Sequence, residues 1–551
     1  MEPVRLLPLG DSGLVAECGG DEIAEAANAA VRALRQATAA HPPRGVLEAV
    51  PTYRSLLVVY DPLVTTAPEI RRAIGEAVAR ADPRRLPPGR PIEIPVAYGG
   101  AHGPDLGTVA AEVGLTEAEV VALHHGCEYR VYMLGFTPGF PYMGTLPSAI
   151  RVPRLASPRT RVPARSVAIA GLQTGIYPVE SPGGWRLIGR TPVRIYDPSR
   201  PDPFLVDAGD RVRFVPISDG EYERRDPGEP ASIGPPVPQR PALAVEQGGL
   251  LTTIQDMGRP GFRRFGLPQG GAMDPLTLQM TNMLLGNPLD AAALEFTSPG
   301  PRLVAARPVD IALGGADHAP TVNGVPAEMW TTIGLRAGDV LAFGAPRAGR
   351  WGYLALPGGV DVPVVMGSRA TYLRARLGGH GGRRLETGDR VGCRRRAASA
   401  RLRLPSPLWP AIGEMCELRI VFGPQQDYFT DDAVAMLTAG EYRVSSEIDR
   451  AGYRLDGPRL PHRAQAELLS DGLLPGAIQV PSGGQPIVIM PDGPTTGGYP
   501  KIGAVLRPDL RRLAQARSDQ PIRFRAVEWD KAHGVAREET AYLQGLSFER
   551  I

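Results

Sequence analysis

The segment TTGGYPKIG (residues 495–503) holds Lys501, one of two lysines in a chain whose 61 basic residues are otherwise arginine. A compact ammonium after a glycine-rich turn suits a narrow site where negative charge develops. The backbone amides of Gly497 and Gly498 and the hydroxyls of Thr495, Thr496 and Tyr499 would complete a cradle for a phosphate or an oxyanion.

Four other stretches carry chemistry. LGFTPGFPYMG (134–144) places Phe136, Phe140 and Tyr142 in a loop dense in glycine and proline. Such a loop either walls a ligand pocket or tucks back over its own barrel. SPRTRVPARSVAIAGLQTGIYP (157–178) sets Arg159, Arg161 and Arg165 ahead of Gln173 and Tyr177. Guanidinium forks suit carboxylate or phosphate, which makes Arg161, Gln173 and Tyr177 candidates for a substrate carboxylate, although alternating arginines on a strand are more often solvated. TTIQDMGRPGFRRFG (252–266) offers Asp256 and Arg259 as further phosphate-site candidates. The Asp317–His318 pair reads more simply as a satisfied loop contact than as a catalytic dyad.

Several signatures are absent. Neither lysine follows a glycine, which excludes a P-loop. There is no His-Glu-x-x-His, no Gly-x-Ser-x-Gly and no lysine in a biotin-carrier context. The eight histidines show no ligand spacing beyond the adjacent His124–His125, and the four cysteines form neither a metal set nor a disulfide framework. A net charge of +3 gives no reason to expect nucleic acid. No apolar run is long enough for a membrane span and no signal peptide is legible, so the expected location is the cytoplasm.

These candidates need a scaffold of several domains, since the chain has 551 residues. The 66 glycines and 58 prolines are dispersed, which predicts many short strands and turns. Residues 1–88 read strand pair, helix, strands, helix: a small α+β domain, ferredoxin-like in outline. Residues 89–218 are β-rich apart from a helix over LTEAEVVALHH. Residues 219–241 look like an exposed proline-rich linker. Residues 242–398 and 399–551 read as two further β domains, each expected to be a barrel, with a helix at MDPLTLQMTNMLLG capped by Asp274. VPARSVAIAGLQTGIYP (162–178) and VPSGGQPIVIMPDGPTTGGYP (480–500) echo one another, which predicts a duplicated β domain with TTGGYP opposite QTGIYP.

The first half resembles the allophanate hydrolase subunit 1 type, also called KipI or the 5-oxoprolinase B component. The resemblance runs through LHHGCEYRVYMLGFTPGFPYMG and SPRTRVPARSVAIAGLQTGIYPVESPGGWRLIGRTP. The second half resembles the allophanate hydrolase subunit 2 type, KipA or the 5-oxoprolinase C component, through TTIQDMGRPGFRRFGLPQGGAMD, RAGYRLDGP and MPDGPTTGGYPKIG. The resemblance implies a mainly β chain with tandem cyclophilin-like barrels and a small α+β domain at the N-terminus. It also implies ATP-dependent opening of 5-oxo-L-proline to L-glutamate, with a separate A-type 5-oxoprolinase protein as partner. In that setting Lys501 serves the transferred phosphoryl group, His124 becomes an acid/base candidate, and ATP and Mg²⁺ are expected without covalent biotin. A small-molecule substrate is expected, with no nucleic-acid or membrane partner and with room for a homo-oligomer. The alternatives are a carboxyltransferase acting on urea or a similar amide with carboxybiotin, and a KipI/KipA-type regulator of a sensor kinase. The chain departs from the family pattern at Arg165, where glycine is usual, and also at Ala101, Pro494 and Ala451.

Overall fold

The computed structural model describes residues 3–20, 22–228, 238–413, 415–464 and 467–551. The central part of the expected linker, 229–237, lies outside the described residues.

The N-terminal body is a four-stranded antiparallel sheet covered by two helices. Strand Arg5–Leu9 turns into Gly13–Glu17, which pairs with Ser55–Tyr60, and Val46–Pro51 completes the sheet. The chain order is strand, strand, helix, strand, strand, helix. Both strand pairs are hairpins, and helix Glu25–Ala40 joins Gly13–Glu17 to Val46–Pro51, two parallel strands with Ser55–Tyr60 between them, as in the split β-α-β unit of a ferredoxin-like outline. Helix Glu25–Ala40 buries Val31, Leu34 and Thr38, one face of an alanine-rich run. Helix Ala67–Arg80 starts at a Thr66–Glu69 capping box and buries Ile70, Ile74 and Ala77.

Two closed seven-stranded barrels follow the tandem-barrel expectation. The first closes in the order Pro91–Tyr98, Arg211–Pro216, Glu128–Leu134, Pro141–Gly144, Gln173–Ile176, Ser166–Ala170, Arg186–Arg190. The second closes as Cys416–Phe422, Pro521–Ala526, Tyr442–Ile448, Gly452–Asp456, Ile487–Ile489, Ala477–Gln479, Lys501–Val505. In each, the first and last strands of the sequence pair in parallel. Each carries the same two-strand flap, Arg159–Val162 with Ser181–Gly183 and Asp471–Gly472 with Thr496–Gly497. Each also has a bulge at the same place. Leu187 and Gly189 face Ala168 and Val167, and Lys501 and Gly503 face Gln479 and Ile478.

The barrels therefore share one topology, but the sequence echo is out of register. Strand order matches Gln173–Ile176 with Ile487–Ile489, not with TTGGYP. TTGGYPKIG matches SPGGWRLIG, and Lys501 stands where the first barrel has Leu187.

The barrel expected over residues 242–398 is corrected. Among the described residues this region forms two open sheets, of six and five strands. Helix Pro275–Met283 packs on the five-stranded sheet, and Asp274 accepts from the Thr277 amide at its start. A short helix, Asp219–Arg225, occupies the beginning of the expected linker, and strand Pro241–Gln247 takes its end. Arg165 explains part of this. Its φ is +70°, a conformation that favours glycine, and its guanidinium is 2.5 Å from Asp226, just after that helix. No helix among the described residues is long and apolar enough to cross a membrane.

Candidate functional site

The segments singled out by sequence converge where the four bodies meet. The aromatic loop 134–144 packs on its own barrel through Phe140, against Tyr177 and Trp185, and also reaches beyond it. The Phe136 amide donates to Thr496 Oγ1 in the second barrel (3.2 Å), and the Gly139 amide donates to the Phe265 carbonyl in the middle body (2.7 Å). Gly135 approaches Thr496 so closely that a Cβ there would collide with it. Phe136 itself has φ +62°, an unusual conformation for a bulky residue, held by these contacts.

The loop builds an aromatic wall. Phe140 lies edge-on to Tyr142 (4.9 Å), Tyr177 (5.1 Å) and Trp185 (5.4 Å), and Phe136 to Phe140 (5.7 Å) and Tyr177 (6.3 Å). Tyr53 of the N-terminal body joins through Tyr142 (6.1 Å) and Tyr132 (5.4 Å). Phe140, Tyr142 and Tyr177 are buried, while Phe136 keeps an exposed edge. The Tyr142 hydroxyl is held by the side chains of Ser470 and Thr496 of the second barrel. Burial pushes the phenols of Tyr142 and Tyr177 up; the nearby Arg154 pulls both back, as it does Tyr53. The Tyr53 hydroxyl is buried with no hydrogen-bond partner. The wall thus contains a buried, unpartnered hydroxyl, with the exposed Arg154 near enough to act on its phenols. Sequence reasoning missed Tyr53, Arg154 and Ser470, because nothing sets Arg154 apart from Arg151 or Arg159, and Tyr53 lies in a segment that reads only as strand.

Lys501 is not on the surface of a phosphate cradle. It is 0% exposed, and its Nζ lies 2.6 Å from Asp471 Oδ2. Asp471 also accepts from Ser55 Oγ of the N-terminal body and from Gln425 Nε2 (3.1 Å). Burial alone would raise the Asp471 carboxyl; the Lys501 ammonium and the hydrogen bonds around it hold it below its usual range. Gly497 is committed to the flap, the Gly498 carbonyl accepts from Leu468, and Thr496 Oγ1 is taken by Phe136. Thr495 Oγ1 is buried without a partner, and only Tyr499 is substantially exposed, at 39%. The expected phosphate cradle is corrected: its cation is already neutralised and sealed.

His124 is also corrected. It is 0% exposed inside the first barrel, stacked on Phe214 (4.6 Å), with Nδ1 2.8 Å from Tyr98 Oη and Nε2 2.8 Å from Thr174 Oγ1. Burial first, and then His125, lower its pKa to about 3, so it is a neutral core residue. Arg161 is exposed and pairs with Glu180 (2.6 Å) on the flap, whereas Gln173 and Tyr177 belong to the neighbouring strand segment. The three do not form one carboxylate clamp.

Asp256 is a loop organiser: Oδ1 accepts from the Gly258 amide (2.8 Å) and Ser368 Oγ (2.6 Å), and Oδ2 from the Arg369 amide (2.6 Å). Arg259 is fully buried. It donates to the Ala370 carbonyl, with Nε and Nη1 unpartnered. Nearby, Arg450 bolts the middle body to the second barrel. It pairs with Glu295 and Asp492 (2.8 Å) and donates to the Gly271 carbonyl (2.6 Å). RAGYRLDGP, MPDGP and PQGGAMD thus meet at one buried charge network.

A chain built from two such barrels, whose halves complete each other's loops, is a carboxyltransferase-type protein. The family models agree: "Carboxyltransferase domain, subdomain C and D" matches residues 4–206, and "Carboxyltransferase domain, subdomain A and B" matches 265–526. The chain belongs to this carboxyltransferase-domain family. Within it, residues of this chain are 43% identical over 224 residues to the B component of the Bacillus subtilis 5-oxoprolinase, covering 39% of this chain and 93% of that one. They are 36% identical over 312 residues to the C component of the Escherichia coli 5-oxoprolinase, covering 56% of this chain and 98% of that one. Counterparts of the two components are fused here. The crystal structure of TTHA0988 is similar with a TM-score of 0.82 at 37% identity, over 95% of this chain and 100% of that one. The urea amidolyase of Lachancea kluyveri is 31% identical over 55% of this chain, which spans only 18% of that enzyme.

Proposed function

We propose that this chain is the fused B–C component of an ATP-dependent 5-oxoprolinase, acting with a separate A-type protein to convert 5-oxo-L-proline to L-glutamate. The observation that carries the reading is that one chain spans nearly the full length of relatives named as the B and C components of 5-oxoprolinase. Contacts such as Phe136–Thr496 support a single shared site between the two halves.

In this reading the aromatic wall holds the small lactam. Phe136 and Phe140 cover the apolar ring face and exclude water. Arg154 faces the substrate carboxylate, and the unspent Tyr53 hydroxyl offers a hydrogen bond to a substrate oxygen. ATP supplies activation of the lactam oxygen in the overall reaction. The Thr495–Lys501 segment does not fit its phosphates, since Lys501 is sealed against Asp471, and no step is assigned through it. No set of three His, Cys, Asp or Glu side chains among the described residues could hold a metal. Mg²⁺ is expected with the nucleotide, held by its phosphates and by one or two carboxylates.

The test is glutamate release from 5-oxoproline by the purified chain with an A-type 5-oxoprolinase protein, ATP and Mg²⁺. Release that needs both proteins and ATP supports the reading. A folded chain that yields no glutamate in any combination overturns it. The similarity to urea amidolyase favours a second reading, carboxyl transfer to a urea-like amide; turnover that appears only with carboxybiotin or its carrier would select it.

A further inference from the structure

A group of arginines outside this site surrounds one turn, Asp207–Gly209, where the helix Glu25–Ala40, the first barrel and the middle body meet. Arg264 Nη1 lies 2.7 Å and Arg35 Nη2 3.8 Å from the same oxygen, Asp207 Oδ2. Arg130 Nη1 donates to the Gly209 carbonyl (3.4 Å), and a Cβ at Gly209 would fall 2.7 Å from Arg32 Nη1. Arg130 also pairs with Glu25 (2.8 Å), itself mostly exposed. The other nearby carboxylates are committed elsewhere: Asp210 to Arg90 (2.6 Å) and Glu48 to Arg263.

Four guanidiniums thus face two carboxylates. Arg32 has no ion-pair partner among the described residues, and its buried Nε has no hydrogen-bond partner. Like charges this close, partly shielded from water, repel unless an anion sits among them. Desolvation and then Arg130 lower the pKa of Arg32, with Glu25 opposing; desolvation lowers that of Arg35, with Asp207 opposing and Arg264 adding a smaller push. All four arginines keep partial exposure, so a solute can reach them.

We infer that Arg32, Arg35, Arg130 and Arg264 form a binding site for a phosphate chain, with Asp207 holding two of the forks in place. Planar forks arranged around one turn suit the oxygens of linked phosphates better than a single small anion. The inference goes beyond the proposed function. The phosphate role expected of the Thr495–Lys501 segment falls to a different junction, one where four guanidiniums share two carboxylates.

Calorimetric titration of the full chain with inorganic tripolyphosphate, orthophosphate and ATP tests this. Tripolyphosphate is expected to bind, and to bind more weakly as salt rises. Arg32→Met and Arg264→Met should each weaken binding about tenfold, whereas Arg72→Met, on an exposed helix face, should not. Arg32 has no partner to lose, so the melting temperature of Arg32→Met should be unchanged or higher, which separates lost binding from lost fold. ATP binding tighter than tripolyphosphate identifies a nucleotide as the source; equal binding identifies the phosphate chain alone. No binding of any of the three, or equal affinity in all three variants, overturns the site. Lost anion binding with glutamate release intact would reject this site only, and anion binding without glutamate release would reject the proposed function only.

Discussion

The Lys501 ammonium sits 2.6 Å from Asp471 in a fully buried pair whose carboxylate also takes the Ser55 hydroxyl, 416 residues away in sequence. The pair latches the N-terminal body to the second barrel. In the first barrel the matching position is Leu187, so that position cannot make an equivalent ion pair there.

Removing one partner should therefore harm the fold rather than the chemistry alone. Lys501→Met leaves Asp471 buried and unpaired and should cost about 3–5 kcal/mol, read as an earlier denaturant midpoint. Lys501→Met combined with Asp471→Leu should recover much of the loss. Because the folded Asp471 carboxyl is held below its usual value, the pair's contribution is complete above the ordinary aspartate range. It is lost as pH falls through the lowered value. A flat acid-side melting profile in wild type would contradict this.

Arg450→Met is expected to be at least as damaging, since it strands both Glu295 and Asp492 in the interior. A loss of about 3–5 kcal/mol is anticipated, together with separation of the middle body from the second barrel in hydrogen exchange.

His124 should titrate against stability and not against activity. Its folded pKa, about 3, lies below the ordinary 6.5. Stability is thus complete above 6.5 and drains by about 1.4 kcal/mol per unit as pH falls toward 3. His124→Gln should flatten that dependence in thermal melts. An activity profile whose inflection moves in the same variant would restore a catalytic role.

Arg165→Gly exchanges two effects. Glycine accepts φ +70° without strain, a gain of about 1 kcal/mol, while the ion pair to Asp226 disappears. Net melting temperature should change little, but limited proteolysis should cut faster just beyond Asp226.

Much of the scaffold is legible in local sequence. The alanine-rich run predicts the first helix, Asp274 followed by Pro275 predicts a helix start, and the glycine that the resemblance leads one to expect at position 165 predicts the positive φ that Arg165 adopts. These features depend on neighbours a few residues away, and the long motifs place the chain in its family. The roles of single charged residues are not legible. Lys501 reads as a free cation until Asp471 and Ser55 close over it, and His124 reads as an acid/base until Phe214, Tyr98 and Thr174 enclose it. The repeat is visible in composition but one strand out of register, because register is set by which backbone pairs across the barrel, not by which letters recur. Only the tertiary structure decided these points, since burial and partner choice are made by residues hundreds of positions apart.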